Sequence, residues 1–87
     1  MQEIVIYSKD YCPYCHRAIA LLDIKGASYK VIDVTHDKER EQEMRQRTGR
    51  TSVPQIFIGE KAIGGCDDLF ALDEQGKLDP LLLQLSA

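Results

Sequence analysis

The spacing of apolar and polar residues predicts alternating strands and helices in the first half of the chain. A β-branched run over residues 3–7 predicts a strand buried on both faces, which polar residues 8–10 end. From Pro13 the apolar residues recur at helical spacing, and Gly26 ends this helix as its C′ residue. Residues 29–34 predict a second strand. Two strands joined through a helix should lie parallel, with a right-handed crossover.

A charged segment between residues 35 and 49 predicts a second helix with little apolar surface. Thr35 is the candidate N-cap, acidic residues occupy the first turn, arginines occupy the last, and Gly49 ends the helix. Met44 is its main candidate for burial. Two acid–base pairs have the favourable i,i+4 spacing: Glu41 with Arg45, and Glu43 with Arg47. We therefore expect a solvated outer helix.

The segment that begins at Pro54 predicts a β-hairpin. Proline cannot donate a ladder hydrogen bond, so Pro54 is well placed just before a strand over residues 55–58. Residues 59–60 form a plausible two-residue turn into a return strand over residues 61–63. These two strands should be antiparallel.

Two further helices complete the prediction. Gly64-Gly65 ends the return strand, Asp67 or a neighbour caps a third helix, and Gly76 ends that helix. Pro80 is expected at the first position of a last short helix. The order β-α-β-α-β-β-α, plus a C-terminal helical turn, predicts an α/β fold. Its mixed four-stranded sheet should have helices on both faces.

Length and charge narrow the function classes. The 87 residues fit one small domain, 1–87, and 44% of them are hydrophobic. A net charge of −3 is opposite to the bias of nucleic-acid-binding domains, so nucleic acid is not an expected partner. No apolar run approaches the roughly 20 residues of a membrane span. The N-terminus lacks the features of a secretory signal, and we therefore expect a cytoplasmic protein.

Three cysteines cannot all be paired, and two of them form the motif Cys12-Pro13-Tyr14-Cys15. Cys12 lies between a buried strand and a predicted helix start, where free N–H groups and the helix dipole favour a thiolate. Cys15, one turn later, should be covered by its own helix. We expect an exposed nucleophile in Cys12 and a shielded resolving thiol in Cys15.

Other chemistries of this spacing must be weighed against the redox interpretation. A structural zinc site needs four ligands, and the chain has no second paired motif to supply them. The run Cys12-Pro13-Tyr14-Cys15-His16 also matches the haem-attachment pattern, although the strand–helix context does not suit it. Inert cysteines and an iron–sulfur cluster shared by two chains are further alternatives. The redox interpretation explains the position of the motif best.

Three separated segments resemble the dithiol glutaredoxins. They are residues 9–15 (Lys-Asp-Tyr-Cys-Pro-Tyr-Cys), 51–59 (Thr-Ser-Val-Pro-Gln-Ile-Phe-Ile-Gly) and 64–69 (Gly-Gly-Cys-Asp-Asp-Leu). The resemblance covers nearly the whole chain and implies the thioredoxin fold, which agrees with the predicted order of elements. It also implies a glutathione-dependent thiol–disulfide oxidoreductase with Cys12 and Cys15 as catalytic residues.

The resemblance implies a glutathione site on one side of the cysteines. Glutathione has two carboxylates and one ammonium group. By resemblance, Lys9 pairs with the glycine carboxylate, Arg50 is a second cation for it, and Thr51 borders the groove. Tyr14 could offer a ring face beside the sulfur.

The other part of the implied site holds the cysteine and γ-glutamyl portions of glutathione. A cis Val53-Pro54 bond would turn the Val53 N–H and C=O outward to pair with the ligand's backbone. Gly65 and Cys66 would offer unpaired N–H groups at a helix start to the γ-glutamyl carboxylate, and Asp67 would meet the ammonium. Cys66 is either a packing residue or an oxidisable thiol beside the groove, and we do not make it catalytic.

The expected substrates are protein–glutathione mixed disulfides and protein disulfides, with ribonucleotide reductase a plausible partner. Glutathione is the expected co-substrate, with no tightly bound cofactor or metal, and we expect a monomer. One alternative is a thioredoxin-like reductase served by thioredoxin reductase. The other is a carrier in which two chains and glutathione hold a two-iron, two-sulfur cluster.

Overall fold

The computed structural model describes residues 3–86. Met1, Gln2 and Ala87, which belong to the predicted 1–87 domain, lie outside the described residues. The elements follow the predicted order: β1 (Ile4–Ser8), α1 (Pro13–Ile24), β2 (Tyr29–Asp33), α2 (Lys38–Thr48), β3 (Gln55–Ile58), β4 (Lys61–Gly64), α3 (Cys66–Glu74) and α4 (Leu78–Ser86). No described helix is long and apolar enough to span a membrane.

The four strands form one mixed sheet in the order β2-β1-β3-β4. β1 and β2 are parallel, with Ile4 opposite Tyr29, which confirms the predicted parallel pairing. β1 and β3 are antiparallel, with Ile4 opposite Ile58. β3 and β4 form the predicted antiparallel hairpin, and its register shifts between Ile56 and Phe57. The mixed four-stranded sheet is thus confirmed.

Each face of the sheet has its own hydrophobic core, which confirms helices on both faces. The larger core joins β1 and β3 to α1, α3 and α4, through Ile4, Ile6, Ala18, Leu21, Leu22, Ile56, Ile58, Cys66, Leu69 and Leu78. The smaller core, Tyr7, Val34, Met44 and Phe57, lies between the sheet and α2. The ends of α1 and α3 that carry cysteines therefore lie on the same side of the sheet.

The smaller core includes a polar cluster that attaches α2 to the sheet. The Tyr7 hydroxyl donates to Glu43 at 2.5 Å and accepts from Arg47 at 2.9 Å. The Arg47 guanidinium lies 3.9 Å from the centre of the Phe57 ring. Met44 is the buried residue of α2, as predicted. The solvated helix α2 thus has a polar face, with Glu43 and Arg47, that contacts the sheet and that sequence spacing did not predict.

The two predicted i,i+4 ion pairs of α2 have different outcomes. Glu41 lies 3.6 Å from Arg45, as predicted. The direct pair of Glu43 with Arg47 is wrong within the described residues: both side chains meet at the Tyr7 hydroxyl, and Arg40 pairs with Glu43 at 3.0 Å. A buried hydroxyl needs partners, and it draws both groups inward.

Tyr7 should make stability depend on alkaline pH. Burial raises the pKa of Tyr7, and the hydrogen bond to Glu43 raises it further. A raised pKa in the folded chain contributes stability below the unfolded pKa of about 10 and loses it as pH rises through the folded pKa. Urea unfolding at neutral pH and above about pH 10 should show a larger alkaline loss for wild type than for Tyr7→Phe. Equal losses would contradict this role of Tyr7.

Two predicted helix starts are wrong by two residues. Asp37, not Thr35, is the N-cap of α2, because its carboxylate accepts the Arg40 N–H at 3.1 Å while Thr35 bonds to Asp33. The start of α3 was predicted only as Asp67 or a neighbour; its N-cap is Gly65, whose N–H donates to the Asp68 carboxylate. Pro80 is the third residue of α4 rather than the first. The first-turn N–H groups of a helix have no intrahelical partner, so proline is tolerated throughout that turn.

Candidate active site

Cys12 is the N-cap residue of α1, directly after the loop that follows β1. Its backbone N–H donates to the Lys9 carbonyl at 3.2 Å, which turns the chain into the helix. The Cys12 Sγ accepts the Cys15 N–H at 3.3 Å and, as a thiol, donates to the Val53 carbonyl at 3.7 Å. The sulfur therefore occupies the place of a capping oxygen, at the positive end of the helix dipole.

The two motif cysteines differ in exposure in the predicted order, but Cys12 is less open than expected. Cys12 is 8% exposed and Cys15 is fully buried. The expectation of an exposed Cys12 is wrong in degree, because the sulfur turns inward to cap α1 and to reach Val53. Burial raises the pKa of the Cys15 thiol, and the hydrogen bond with Cys12 raises it further. Cys15 is thus a protonated, shielded thiol beside a partly accessible one.

A groove of about 180 Å³ opens beside the cysteine motif. Its lining combines the first turn of α1, the segment before β3 and the start of α3: Tyr14, Arg50, Ser52, Val53, Pro54, Gln55, Gly65, Cys66, Asp67 and Asp68. The Val53-Pro54 bond is cis, as the family resemblance implied. The fold thus brings together most of the residues proposed from sequence.

Lys9 and Thr51 are the two proposed binding residues that do not line this groove. The Lys9 ammonium lies 3.6 Å from the Glu41 carboxylate of α2. Thr51 is exposed and directly follows Arg50 in the chain. The Arg50 guanidinium lies 3.6 Å from Asp68, at the start of α3. Both proposed cations are therefore held by carboxylates of the chain itself.

The start of α3 differs in one respect from the sequence prediction. The Gly65 N–H is not free, because it donates to the Asp68 carboxylate at 2.9 Å. The N–H groups of the following first turn point along the helix axis with no intrahelical acceptor. Asp68 also lies so close to Gly64, which has φ of 111°, that a Cβ there would be 2.3 Å from its oxygen. The N–H groups of the first turn of α3 therefore keep the anion-binding character expected of a helix start.

The sequence prediction missed three groove residues, Ser52, Gln55 and Asp68. Asp68 lies three residues after Gly65, the spacing of a capping box, and this spacing could have identified it. Gln55 is a buried amide at the first position of β3, and its side chain donates to the Ser52 carbonyl at 2.9 Å. A polar residue at the start of an apolar strand was the available signal. Gln55 supports the segment that carries Val53.

Cys66, the third cysteine, is the first residue of α3 and belongs to the larger core. Burial raises the pKa of its thiol, and the Arg17 charge opposes this only in part. Its packing supports the structural interpretation of this residue. Among the described residues, no three or more His, Cys, Asp or Glu side chains are grouped to hold a metal ion.

Alkylation should distinguish the three thiols. Cys15 and Cys66 combine burial with a raised pKa, so iodoacetamide at neutral pH should modify Cys12 first. Peptide mapping by mass spectrometry measures the order of modification. In urea all three should react at similar rates, which serves as the control. Faster native modification of Cys66 than of Cys12 would contradict the assignment.

Comparison with known proteins agrees with this geometry. The glutaredoxin family model matches residues 4–63. Glutaredoxin 3 of Escherichia coli K12 is 55% identical over 82 residues, which cover 94% of this chain and 99% of that protein. A glutaredoxin of Pseudomonas aeruginosa is 49% identical over 82 residues, 94% of this chain and 98% of its own.

Solved structures give the same result. A crystal structure of a buckwheat glutaredoxin–glutathione complex superposes with a TM-score of 0.91 at 38% identity, covering 99% of this chain and 81% of that chain. The solution structure of a Brucella melitensis glutaredoxin has a TM-score of 0.82 at 52% identity, covering 94% of this chain and 89% of that chain. The chain therefore belongs to the glutaredoxin family, the glutathione-dependent thiol–disulfide oxidoreductases with the thioredoxin fold.

Proposed function

We propose that this glutaredoxin reduces protein–glutathione mixed disulfides and protein disulfides, with Cys12 as the nucleophile and Cys15 as the resolving thiol. The observation that carries the proposal is the position of the Cys12 sulfur. It accepts the Cys15 N–H at the start of α1, in a residue that is 8% exposed, whereas Cys15 is fully buried and has a raised pKa. Thiolate attack and thiolate departure both favour this asymmetry.

The monothiol route uses Cys12 alone. The Cys12 thiolate attacks the glutathione sulfur of a mixed disulfide, a Cys12–glutathione bond forms, and the substrate protein leaves as a thiolate. A second glutathione thiolate attacks the glutathione sulfur of this intermediate. Oxidised glutathione leaves, and the Cys12 thiolate is restored with the Cys15 N–H hydrogen bond that stabilises it. NADPH and glutathione reductase return the oxidised glutathione to the thiol.

The dithiol route also needs Cys15. Cys12 first forms a mixed disulfide with one sulfur of a protein disulfide, and the other sulfur leaves as a thiolate. Cys15 then gives up its proton and attacks the Cys12 sulfur. The substrate protein leaves fully reduced, with the electron pair of the cleaved disulfide, and Cys12–Cys15 is oxidised. Two glutathione molecules reduce it again.

The groove supports a defined placement of glutathione. Val53 would pair its backbone with the cysteine portion of the ligand, beside the Cys12 sulfur that its carbonyl already contacts. The α3 N-terminus at Gly65 and Cys66 would face the γ-glutamyl carboxylate, with Asp67 for the ammonium. Tyr14 would cover the sulfur, since its ring is exposed on the same groove.

The remaining portion of glutathione is its glycine carboxylate. Lys9, with Arg50 and Thr51, would serve this group, and a ligand carboxylate would replace the carboxylates that now hold the two cations. We further propose a cytoplasmic monomer without a tightly bound cofactor. Its partners would be glutathionylated or disulfide-containing proteins, ribonucleotide reductase among them.

A coupled assay tests this proposal. NADPH oxidation is followed with a mixed disulfide of glutathione and 2-mercaptoethanol, in the presence of glutathione and glutathione reductase. We expect NADPH oxidation in this system. When thioredoxin reductase replaces glutathione reductase and glutathione is omitted, the rate should not exceed background. Turnover only with thioredoxin reductase would favour the thioredoxin-like alternative. A brown, dimeric preparation without activity would favour the cluster carrier.

A further inference from the structure

The cations proposed to bind the glycine carboxylate of glutathione are both paired inside the protein. The Lys9 ammonium lies 3.6 Å from Glu41, and the Arg50 guanidinium lies 3.6 Å from Asp68. The two acids come from different helices, α2 and α3, on opposite faces of the sheet. Each cation proposed for the glycine carboxylate thus has its own carboxylate partner in the protein.

The two carboxylates are held in place by contacts other than these cations. Glu41 also lies 3.6 Å from Arg45, one helical turn further along α2. Asp68 accepts the Gly65 N–H at 2.9 Å, which fixes it at the start of α3. Each acid therefore keeps a partner when the long side chain of Lys9 or Arg50 moves toward a ligand.

We propose that Glu41 and Asp68 act as internal competitors for glutathione, a role that rests on the proposed placement of Lys9 and Arg50. A ligand carboxylate must exchange with a carboxylate that each cation already has, so binding replaces one ion pair by another. The net gain is smaller than a free cation would give. Glutathione is held weakly enough to enter and leave in every cycle, and Glu41 and Asp68 set that affinity.

A competing acid and a supporting acid should change the affinity for glutathione in opposite directions when they are removed. An acid that merely orients a cation should strengthen ligand binding, and its removal should weaken binding. A competing acid should do the opposite. The conservative amides Glu41→Gln and Asp68→Asn remove the charge and keep the shape, and Asn retains an oxygen that can accept the Gly65 N–H. Both sites are partly exposed, so the variants should fold.

The experiment measures the affinity of reduced protein for S-methylglutathione, which has both carboxylates and no reactive thiol. Titration calorimetry at low ionic strength should give a Kd about twofold to fivefold lower for each amide variant, the range expected of exposed ion pairs. The double variant should bind at least as tightly as either single variant, and the gains need not multiply, because both cations serve the same ligand carboxylate. The gains should shrink as salt is added.

Matched controls separate a local effect from a change in net charge. Glu39→Gln removes the same charge from α2, and Glu74→Gln removes it from the end of α3. Within residues 3–86, neither acid is paired with Lys9 or Arg50. Both controls should leave the Kd unchanged. A gain as large in the controls as in the amide variants would overturn the proposal.

Two cation variants complete the test. Lys9→Gln should raise the Kd and should abolish the gain from Glu41→Gln, and Arg50→Gln should do the same for Asp68→Asn. If the cation variants weaken binding but the acid variants leave it unchanged or weaker, internal competition is wrong and the glutathione site stands. If the cation variants do not alter the Kd, the placement of Lys9 and Arg50 fails, and the competition fails with it.

Discussion

Cys12→Ser is expected to reduce turnover of a glutathione mixed disulfide at least about a thousandfold, to the uncatalysed background. Cys12 is the thiol at the α1 N-terminus and accepts the Cys15 N–H there, whereas burial raises the pKa of both Cys15 and Cys66. A serine hydroxyl is not ionised near neutral pH and cannot form a disulfide. The coupled NADPH assay with glutathione reductase measures this loss.

Cys15→Ser is the matched comparison for that loss. It should keep substantial activity on the mixed disulfide, because glutathione itself resolves the Cys12 intermediate. It should lose most activity on a protein disulfide, where Cys15 must attack Cys12. Full activity of Cys12→Ser would show that the nucleophile is assigned to the wrong cysteine. Loss of activity in Cys66→Ser alongside it would identify Cys66 as the nucleophile instead.

Leu22→Ala should destabilise the protein by about 2–5 kcal/mol. Leu22 is fully buried in the larger core, on the helix that begins at the active-site cysteines. The truncation removes apolar contacts and leaves a cavity between α1 and the sheet. In a domain of this size the loss corresponds to a Tm lower by roughly 10–30 °C. Urea unfolding and thermal denaturation measure it.

Ile24→Ala is the control on the same helix. Ile24 is 81% exposed, so its truncation should change the free energy of unfolding by less than about 0.5 kcal/mol. Similar losses at both positions would contradict the packing described for α1.

The sequence was sufficient for the order of strands and helices because local signals agree with the packing. β1 and β3 are β-branched runs buried on the sheet, and Gly26 and Gly49 have the positive φ that ends a helix. The Cys-Pro-Tyr-Cys motif could be placed because strand and helix meet at one point. These features depend on residues close together in the chain.

Contacts between residues far apart in the chain could not be predicted from the sequence. Tyr7 and Glu43 are 36 positions apart, and nothing local indicates that the hydroxyl draws α2 onto the sheet. The Lys9–Glu41 and Arg50–Asp68 pairs depend likewise on how the helices pack. Helix starts were misplaced where two polar side chains compete, as Thr35 and Asp37 do, because only the fold decides which one reaches a free N–H.

The mixed disulfide between Cys12 and glutathione can be trapped in a variant that lacks the Cys15 thiol. Reduced Cys15→Ser protein is mixed with oxidised glutathione, and the adduct is mapped by peptide mass spectrometry. We expect a single glutathione on Cys12, released when reduced glutathione is added. An adduct on Cys66, or none on a folded protein, would contradict Cys12 as the residue that exchanges with glutathione.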